Sequence, residues 1–508
     1  MRDSRAASLR FTLVVSAVLL ALIAQVFIRY GGLHWAVAPL IVAVACLALE
    51  SVRVRRRRSD AAPDKQLSLD LDALPAQWTL RIWNVEFTRS DLGWVSIITA
   101  CLLMSVSLRN FGNERVESLS MAWYCFGAAV ILLLVGIAVI DGRLAGVISR
   151  VKSNGGFRIE LKSLVPWLIL GVILILATGV RVYNLEDVPP GIWYDEADNL
   201  LHAQRYARDP GQIPVYEPST NLPSLFLMPI AALVKLAGAA VTTPRLVAVA
   251  FGAAGIVVVF LLARHMFGVF AGLIAAFFAA FMRWDIIWSR IGMHGITSVL
   301  FAALTGWLTL RALRNGRYSD YAFAGVSLGL GMWFYSPFRM FPLVVGFMLI
   351  HHLAVNRPPI GRFALSVSLM ILTSLFVAAP LTQFAMDDPG EFFKRAENAS
   401  VFTITPREQW VDQINESLEE HLMMFNRKGD PNPRHNLPDE PMLDFFMAAL
   451  FALGFFFAFT QWRNTALFTL PFWVLFMILP GVLTVPWESP QSLRSILVIP
   501  AVAALAAY

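Results

Sequence analysis

Residues 164–199 read LVPWLILGVILILATGVRVYNLEDVPPGIWYDEADN. The stretch 164–180 carries no charge. It is close to the length that about 30 Å of hydrocarbon demands at about 1.5 Å of helix rise per residue. Arg181 ends the apolar run, and Pro189, Pro190 and Gly191 force a turn. Asp195 and Glu196 then open ADNLLHAQRYARD (197–209), which reads as a short polar helix. A membrane span delivering the chain into a polar, turn-rich loop is the motif from which the rest of the molecule is read.

The whole chain fits that motif. Of 508 residues, 57% are apolar and only 15% charged, and mean hydropathy is +0.62. Soluble domains carry about 25% charged residues, so a soluble enzyme and a disordered chain are both excluded. Apolar segments recur at 11–28, 34–50, 92–108, 121–140, 164–180, 245–263, 268–283, 296–313, 320–335, 336–353, 362–380, 441–460, 465–483 and 494–508. These predict an all-α polytopic membrane protein of fourteen spans, the first a retained signal anchor. Cys46, Cys101 and Cys125 lie in apolar blocks and set no disulfide or zinc spacing.

Net charge is +6, from 35 Arg and 6 Lys against 35 acids. Its placement gives orientation. Arg53 and Arg55–Arg58 fall in 51–91. Arg143, Arg150, Lys152, Arg158 and Lys162 fall in 141–163. Both segments are expected in the cytoplasm, which puts the basic run beside a span as a topology signal rather than a nucleic-acid patch. Loop 181–244 is then outside. The block 223–239 is apolar but short, with Pro229 and Lys235 inside it. Read as interfacial, it leaves Arg264, Arg311, Arg314, Arg317, Arg357, Arg362 and Arg463 inside, against Arg283, Arg290, Arg339 and Arg494 outside. Loop 381–440 becomes a second large outer loop. Two units follow: 1–160, four spans with a polar linker at 59–90, and 161–508, ten spans that end in an apolar run as if cut at a final span. The Arg-over-Lys bias points to a bacterial plasma membrane.

Carboxylates are missing from the middles of the predicted spans, where ion-coupled transporters keep theirs. Polar chemistry gathers at the outer face instead. Asp195 and Glu196 either cap the short helix and complement its dipole or supply a general base. Trp193 and Tyr194 are either interfacial anchors or a stacking face for a sugar. The loop WDIIWSRIGMHG (284–295) offers Arg290, with Asp285 and His294 as a weak metal pair. The turn YSPFR (335–339) offers Tyr335 and Arg339. With Arg494, these arginines put positive charge where the positive-inside rule depletes it, and a guanidinium fork suits a phosphate.

The segments PPGIWYDEADN (189–199), NLPSLFLMPIAALVKLAG (221–238), TPRLVAVAFGAAGIVVVFLLARHMFG (243–268), WSRIGMHGITSVLFAAL (288–304) and GLGMWFYSPFRMFPLVV (329–345) together resemble the GT-C superfamily of membrane glycosyltransferases. The likeness runs over about 161–508. It is nearest glycosyltransferase family 39, the dolichyl-phosphate-mannose–protein mannosyltransferase type, and also touches the aminoarabinose transferases that modify lipid A. The resemblance implies a GT-C multi-span helical bundle whose long outer loops carry interfacial helices. It implies an inverting transferase that takes a sugar from a polyprenyl phosphate to a protein, lipid or glycan acceptor at the outer face. Asp195 matches the family's catalytic base, with Glu196 the adjacent acid. Donor-phosphate contacts fall to Arg181, Arg290, Arg339 and Arg494, and sugar or acceptor contacts to Trp193, Tyr194, Asn221, His294 and Tyr335. No cofactor is implied; a divalent metal suits the chemistry, but no ligand spacing supports one. Membrane lipids are the other partners, and nucleic acid is not. His294 and Gly295 stand where family members often carry a second acid, and unit 1–160 lies outside the family pattern. The rival reading is a non-catalytic flippase for the same carrier, which needs lipid grooves and arginines but no base.

Overall fold

The computed structural model describes residues 2–60, 79–82, 85–113, 117–142 and 161–508. Most of the predicted linker 59–90 and the basic segment 143–160 lie outside the described residues. Elements run in chain order: α1 (Arg2–Arg29), α2 (Leu33–Asp60), β1 (Thr79–Ile82), β2 (Val85–Thr88), α3 (Arg89–Phe111), α4 (Ser120–Ile140), α5 (Leu161–Val182), α6 (Tyr194–Arg208), β3 (Tyr216–Glu217), β4 (Leu222–Pro223), α7 (Leu227–Ala237), α8 (Thr242–Phe267), α9 (Val269–Phe281) and α10 (Arg283–Ser289). There follow α11 (Gly295–Asn315), α12 (Tyr318–Gly331), α13 (Phe341–Asn356), α14 (Ile360–Asp387), α15 (Pro389–Asn398), α16 (Val401–Ile404), α17 (Trp410–Met423), α18 (Phe445–Thr460), α19 (Thr465–Val482) and α20 (Ile499–Ala507). The two small sheets are antiparallel hairpins, β1 with β2 and β3 with β4.

Among the described residues ten helices are long and apolar enough to cross a membrane, or eleven if α9 and α10, bent by 58°, count as one. The other four predicted spans fall on α9, α12, α18 and α20, which are shorter but still run between the two ends of the bundle: Tyr508, at the end of α20, packs on Phe267 at the end of α8, and Asn464, after α18, lines one cleft with His265. The apolar residues of these four helices face other helices as much as lipid. In α9, Gly272, Ala275, Ala276, Ala279 and Ala280 are buried while Phe270 and Phe277 are exposed. Small residues let backbones approach closely in a membrane, where packing replaces the hydrophobic drive between helices. Helix α20 is buried along its whole length.

The block 223–239 forms the 11-residue helix α7, too short to span. The long helices α8, α11 and α13 consequently present two kinds of end. At one, the loops carrying Asp195, Gly292 and Arg339 meet. At the other lie Arg264, Arg314 and Asn356. The buried centre is built on α8, α11 and α19, whose apolar windows are mostly enclosed, while α2, α3 and α5 are largely uncovered. The N-terminal helices dock on this centre as two hairpins. In the first, α1 packs on α2 and on α18; in the second, α3 packs on α4 and on α14. Alanines close the first contact, with Ala17, Ala21 and Ala43 clustered against Ala449 and Leu453. Gln25 locks it, donating to the Asn426 backbone carbonyl at 2.9 Å and accepting from the Asn426 side-chain NH₂ at 2.6 Å.

Candidate active site

Three buried arginines fasten the loop that follows α5. Arg245, in the first turn of α8, is fully buried. It donates to the carbonyls of Leu185, Glu186, Pro189 and Gly191 at 2.5–3.2 Å. It also holds both oxygens of Glu196, at 2.8 and 3.0 Å. Arg290 donates to Val180, Arg181, Asn184 and Val188 carbonyls at 2.6–3.2 Å, so it caps the C-terminal end of α5. Arg181 donates to Ala177 and Ala280 carbonyls at 3.1 and 2.7 Å and pairs with buried Asp285 at 2.5 Å. Carbonyls aimed inward need donors, and guanidiniums supply several in a fixed fork. Arg181 and Arg290, expected to hold a donor phosphate, are thus placed inside the loop anchorage with their forks on backbone oxygens and Asp285.

The two adjacent acids part company for a geometric reason. Neighbours on a helix point about 100° apart. Glu196 faces inward and is 1% exposed. It accepts from Arg245 and from the backbone N–H of Gly292 at 2.8 Å, so it ties the first outer loop to the second. A Cβ on Gly292 would meet Pro244 Cβ at 2.5 Å, which explains a glycine at this contact. Asp195 faces outward, with its side chain 39% exposed. Arg434 lies 3.6 Å from its carboxylate and stacks 3.9 Å from the ring centroid of Trp193.

Arg434 continues a polar chain into the second outer loop. Its guanidinium contacts His435 Nε2 at 3.1 Å, and His435 Nδ1 meets Asp430 Oδ2 at 3.0 Å. Asp430 also accepts from the backbone N–H of Ser492 at 2.8 Å and of Asn432 at 2.9 Å. Burial alone would push the Asp430 carboxyl up, but His435 and these N–H groups hold it below its ordinary value. His421 is buried and accepts from Gln491 N–H at 3.0 Å through Nε2, with Nδ1 against the Ser417 carbonyl at 2.7 Å. Burial pushes its pKa down to about 4. Arg494 bonds Thr484 Oγ1 at 2.8 Å and pairs with Glu488 at 3.1 Å.

Tyr335 connects these pieces. It is buried, and burial raises its phenol, while Arg395, Arg494, Asp195 and Glu488 all act on it electrostatically. His294 is also buried, its pKa pushed down to about 3 by desolvation and then by Arg395. The His294 ring lies 4.5 Å from Phe226, and its Nε2 is buried with no partner among the described residues. The structure therefore brings together Asp195, Trp193, Tyr335, His294 and Arg494 of the expected residues. Tyr194 is 79% exposed on the outside of α6. Asn221 sits at positive φ in the β3–β4 turn, its carbonyl accepting from Tyr216 at 2.6 Å. Arg339 is placed apart, packed 3.7 Å over the Phe392 ring and donating to the Phe392 carbonyl at 3.1 Å.

The sequence reading missed Arg245, Arg395, Arg434 and Glu488. Arg434 had a signal, since GDPNPRHNLPDEP (429–441) is dense in turn formers around an Arg-His pair. Arg245 had little, because an arginine opening a span looks like an interfacial anchor. Asp285, half of the weak metal pair, is committed to Arg181. Among the described residues no cluster of three His, Cys, Asp or Glu is arranged to hold a metal.

Residues 222–382, about a third of the chain, match a family described as dolichyl-phosphate-mannose-protein mannosyltransferase. The match runs from β4 into α14 and begins after Asp195. None of the curated proteins compared matches the chain. Among solved structures, the chain is similar to the archaeal oligosaccharyltransferase AglB of Archaeoglobus fulgidus, in complex with an inhibitory peptide and a dolichol-phosphate. Identity is 13%, coverage 69% of this chain and 50% of that one, and the TM-score 0.47. It is also similar to ArnT of Cupriavidus metallidurans in the apo state, at 13% identity, 68% and 59% coverage and a TM-score of 0.48. ArnT bound to undecaprenyl phosphate gives 14%, 68%, 59% and 0.46. The chain spans between half and three-fifths of the length of these proteins.

Proposed function

We propose, from the premise that residues 222–382 belong to the dolichyl-phosphate-mannose-protein mannosyltransferase family, that this integral membrane protein is an inverting glycosyltransferase. It moves a sugar from a polyprenyl-phosphate donor to an acceptor hydroxyl. The reaction takes place at the Asp195 end of the bundle, which the arginine distribution assigns to the outer face, in a bacterial plasma membrane.

Asp195 is the general base. It takes the acceptor proton as the acceptor oxygen forms its bond to the anomeric carbon. The bond from that carbon to the phosphate oxygen breaks on the opposite face, and its electron pair leaves with the lipid phosphate. Positive charge at Arg494, Arg434 and Arg395 stabilises the negative charge collecting there. The observation that carries the reading is the contrast between adjacent acids: Glu196 is sealed on Arg245, whereas Asp195 stands open beside Trp193 and Arg434. Trp193 offers a ring face at this position, and Tyr335 lies within electrostatic reach of Asp195 and Arg494.

The test is transfer from a radiolabelled polyprenyl-phosphate hexose by the purified full chain, beside Asp195→Asn. A general base contributes on the order of 10²–10⁴ in rate, so the variant should lose that much while retaining the lipid phosphate. Equal transfer by both proteins would remove Asp195 from the role. Retention of the donor with no transfer by either would favour a carrier-handling protein.

A further inference from the structure

We infer that the end of the bundle opposite Asp195 carries a separate binding site for a phosphate-bearing anion. A cleft of about 400 Å³ opens there, lined by His265, Arg314, His352, Asn356, Arg463 and Asn464. It lies where the C-terminal ends of α8, α11 and α13 meet the turn before α19. Arg245 and His265 both lie on α8, 20 residues apart, so at about 1.5 Å per residue the cleft lies roughly 30 Å from the Arg245–Glu196 anchorage. It shares no residue with the Asp195 site.

The lining is cationic and amide-bearing. No carboxylate is among the residues that line it. The acid acting on nearby His265 is Asp320, which is already held by Arg311 at 2.5 and 2.9 Å and by Asn315 at 2.9 Å. Among the described residues Arg314 reaches only the His265 carbonyl, at 3.5 Å, and Arg463 lies 4.9 Å from the Trp462 ring centroid. Both side chains are exposed, and neither forms an ion pair among the described residues.

Topology explains why arginines collect at this end, and cations there also complement helix C-terminal dipoles. Neither effect requires a concavity. Arg264 in the last turn of α8 and Arg357 at the C-cap of α13 meet both demands from outside the cleft. Arg314 and Arg463 instead both line it, together with the amides of Asn356 and Asn464. Two guanidinium forks on one cleft without a carboxylate suit phosphate oxygens. The volume exceeds one phosphate group, and Leu310 and Leu313 of α11 complete the wall, so the ligand is a phosphate carrying a substituent. That chemistry belongs equally to a phospholipid headgroup and to a soluble phosphate compound.

The test uses the full chain in phosphatidylcholine nanodiscs, with binding read from the thermal unfolding midpoint across a titration. One arm adds inorganic pyrophosphate, and the other replaces a rising fraction of the lipid with phosphatidylglycerol. Saturable stabilisation is expected in at least one arm, weakened on the order of a hundredfold in R314Q/R463Q and largely kept in R314K/R463K. A response to pyrophosphate assigns a soluble ligand, and a response to phosphatidylglycerol alone assigns a headgroup. Absence of stabilisation in both arms would overturn the inference. So would an undiminished response in R314Q/R463Q whose unliganded midpoint matches wild type.

Discussion

Replacing Glu196 by Gln tests whether the buried pair with Arg245 holds the outer loop in place. The substituted side chain would keep one carbonyl oxygen but turn an NH₂ group toward a donor. The carboxylate now accepts three short hydrogen bonds, from Arg245 Nε at 2.8 Å, Arg245 Nη2 at 3.0 Å and Gly292 N at 2.8 Å. Removing one partner of a buried pair costs about 3–5 kcal/mol, because the surviving charge is left uncompensated. Arg245 keeps its four carbonyl acceptors in loop 185–191, so the lower end, about 3 kcal/mol, is the appropriate figure. Each 1.4 kcal/mol or so is tenfold in an equilibrium, so local opening of the loop should rise on the order of a hundredfold. Hydrogen–deuterium exchange of the purified chain, read on peptides covering 184–200 and 288–294, measures that opening. Both peptides should exchange faster in Glu196→Gln, while Asp195→Asn should leave them unchanged. Exchange in Glu196→Gln as slow as in wild type would refute the anchoring role. Equal loosening by Asp195→Asn would refute the division of labour between the two acids.

Three further outcomes follow from the same geometry. His421 titrates near 6.5 when free and at about 4 in the fold; as pH falls from 6.5 towards 4 only the opened state takes up the proton, so the packing of α17 on 489–492 should weaken by about 3 kcal/mol and level off below. Exchange of peptide 415–423 across that range reads the loss, and His421→Gln should flatten it. Gly292→Ala sets a methyl against Pro244 and should weaken the Gly292–Glu196 hydrogen bond, loosening 288–294 while leaving the peptide of α17 as in wild type. Arg434→Gln removes the cation beside Asp195 and should lower transfer about tenfold or more by the loss of one charge-assisted contact, with exchange at 184–200 unchanged; a rate equal to wild type would take Arg434 out of the site.

The membrane class and helical fold were legible because both rest on summed quantities, such as apolar block length and charge placement. The interfacial α7 was legible too, since Lys235 and Pro229 shorten its apolar run and the arginines of later loops then sort to one end. The shortness of α9, α12, α18 and α20 was not, because apolar residues that pack on protein and apolar residues that face lipid read alike in the sequence. At the site, Asp195 was legible as a loop acid following a span, but its separation from Glu196 was not. That separation depends on which face of α6 meets Arg245, a residue 49 positions later.

The arginines carry the sharper lesson. Positive charge against the topological trend suggested phosphate ligands, yet Arg290 spends its fork on carbonyls left open where α5 ends and Arg181 spends its fork on the Ala280 carbonyl of α9 and on Asp285. An arginine near a broken helix meets a backbone demand before any ligand arrives. The signal that separates the two uses is what surrounds the guanidinium. Arg181 and Arg290 reach the last carbonyls of α9 and α5, which need donors, whereas Arg434 lies between prolines in a segment with no helix end to cap. Charge sign and face locate a candidate phosphate site, and the local backbone demand then decides which of its arginines are free to serve it.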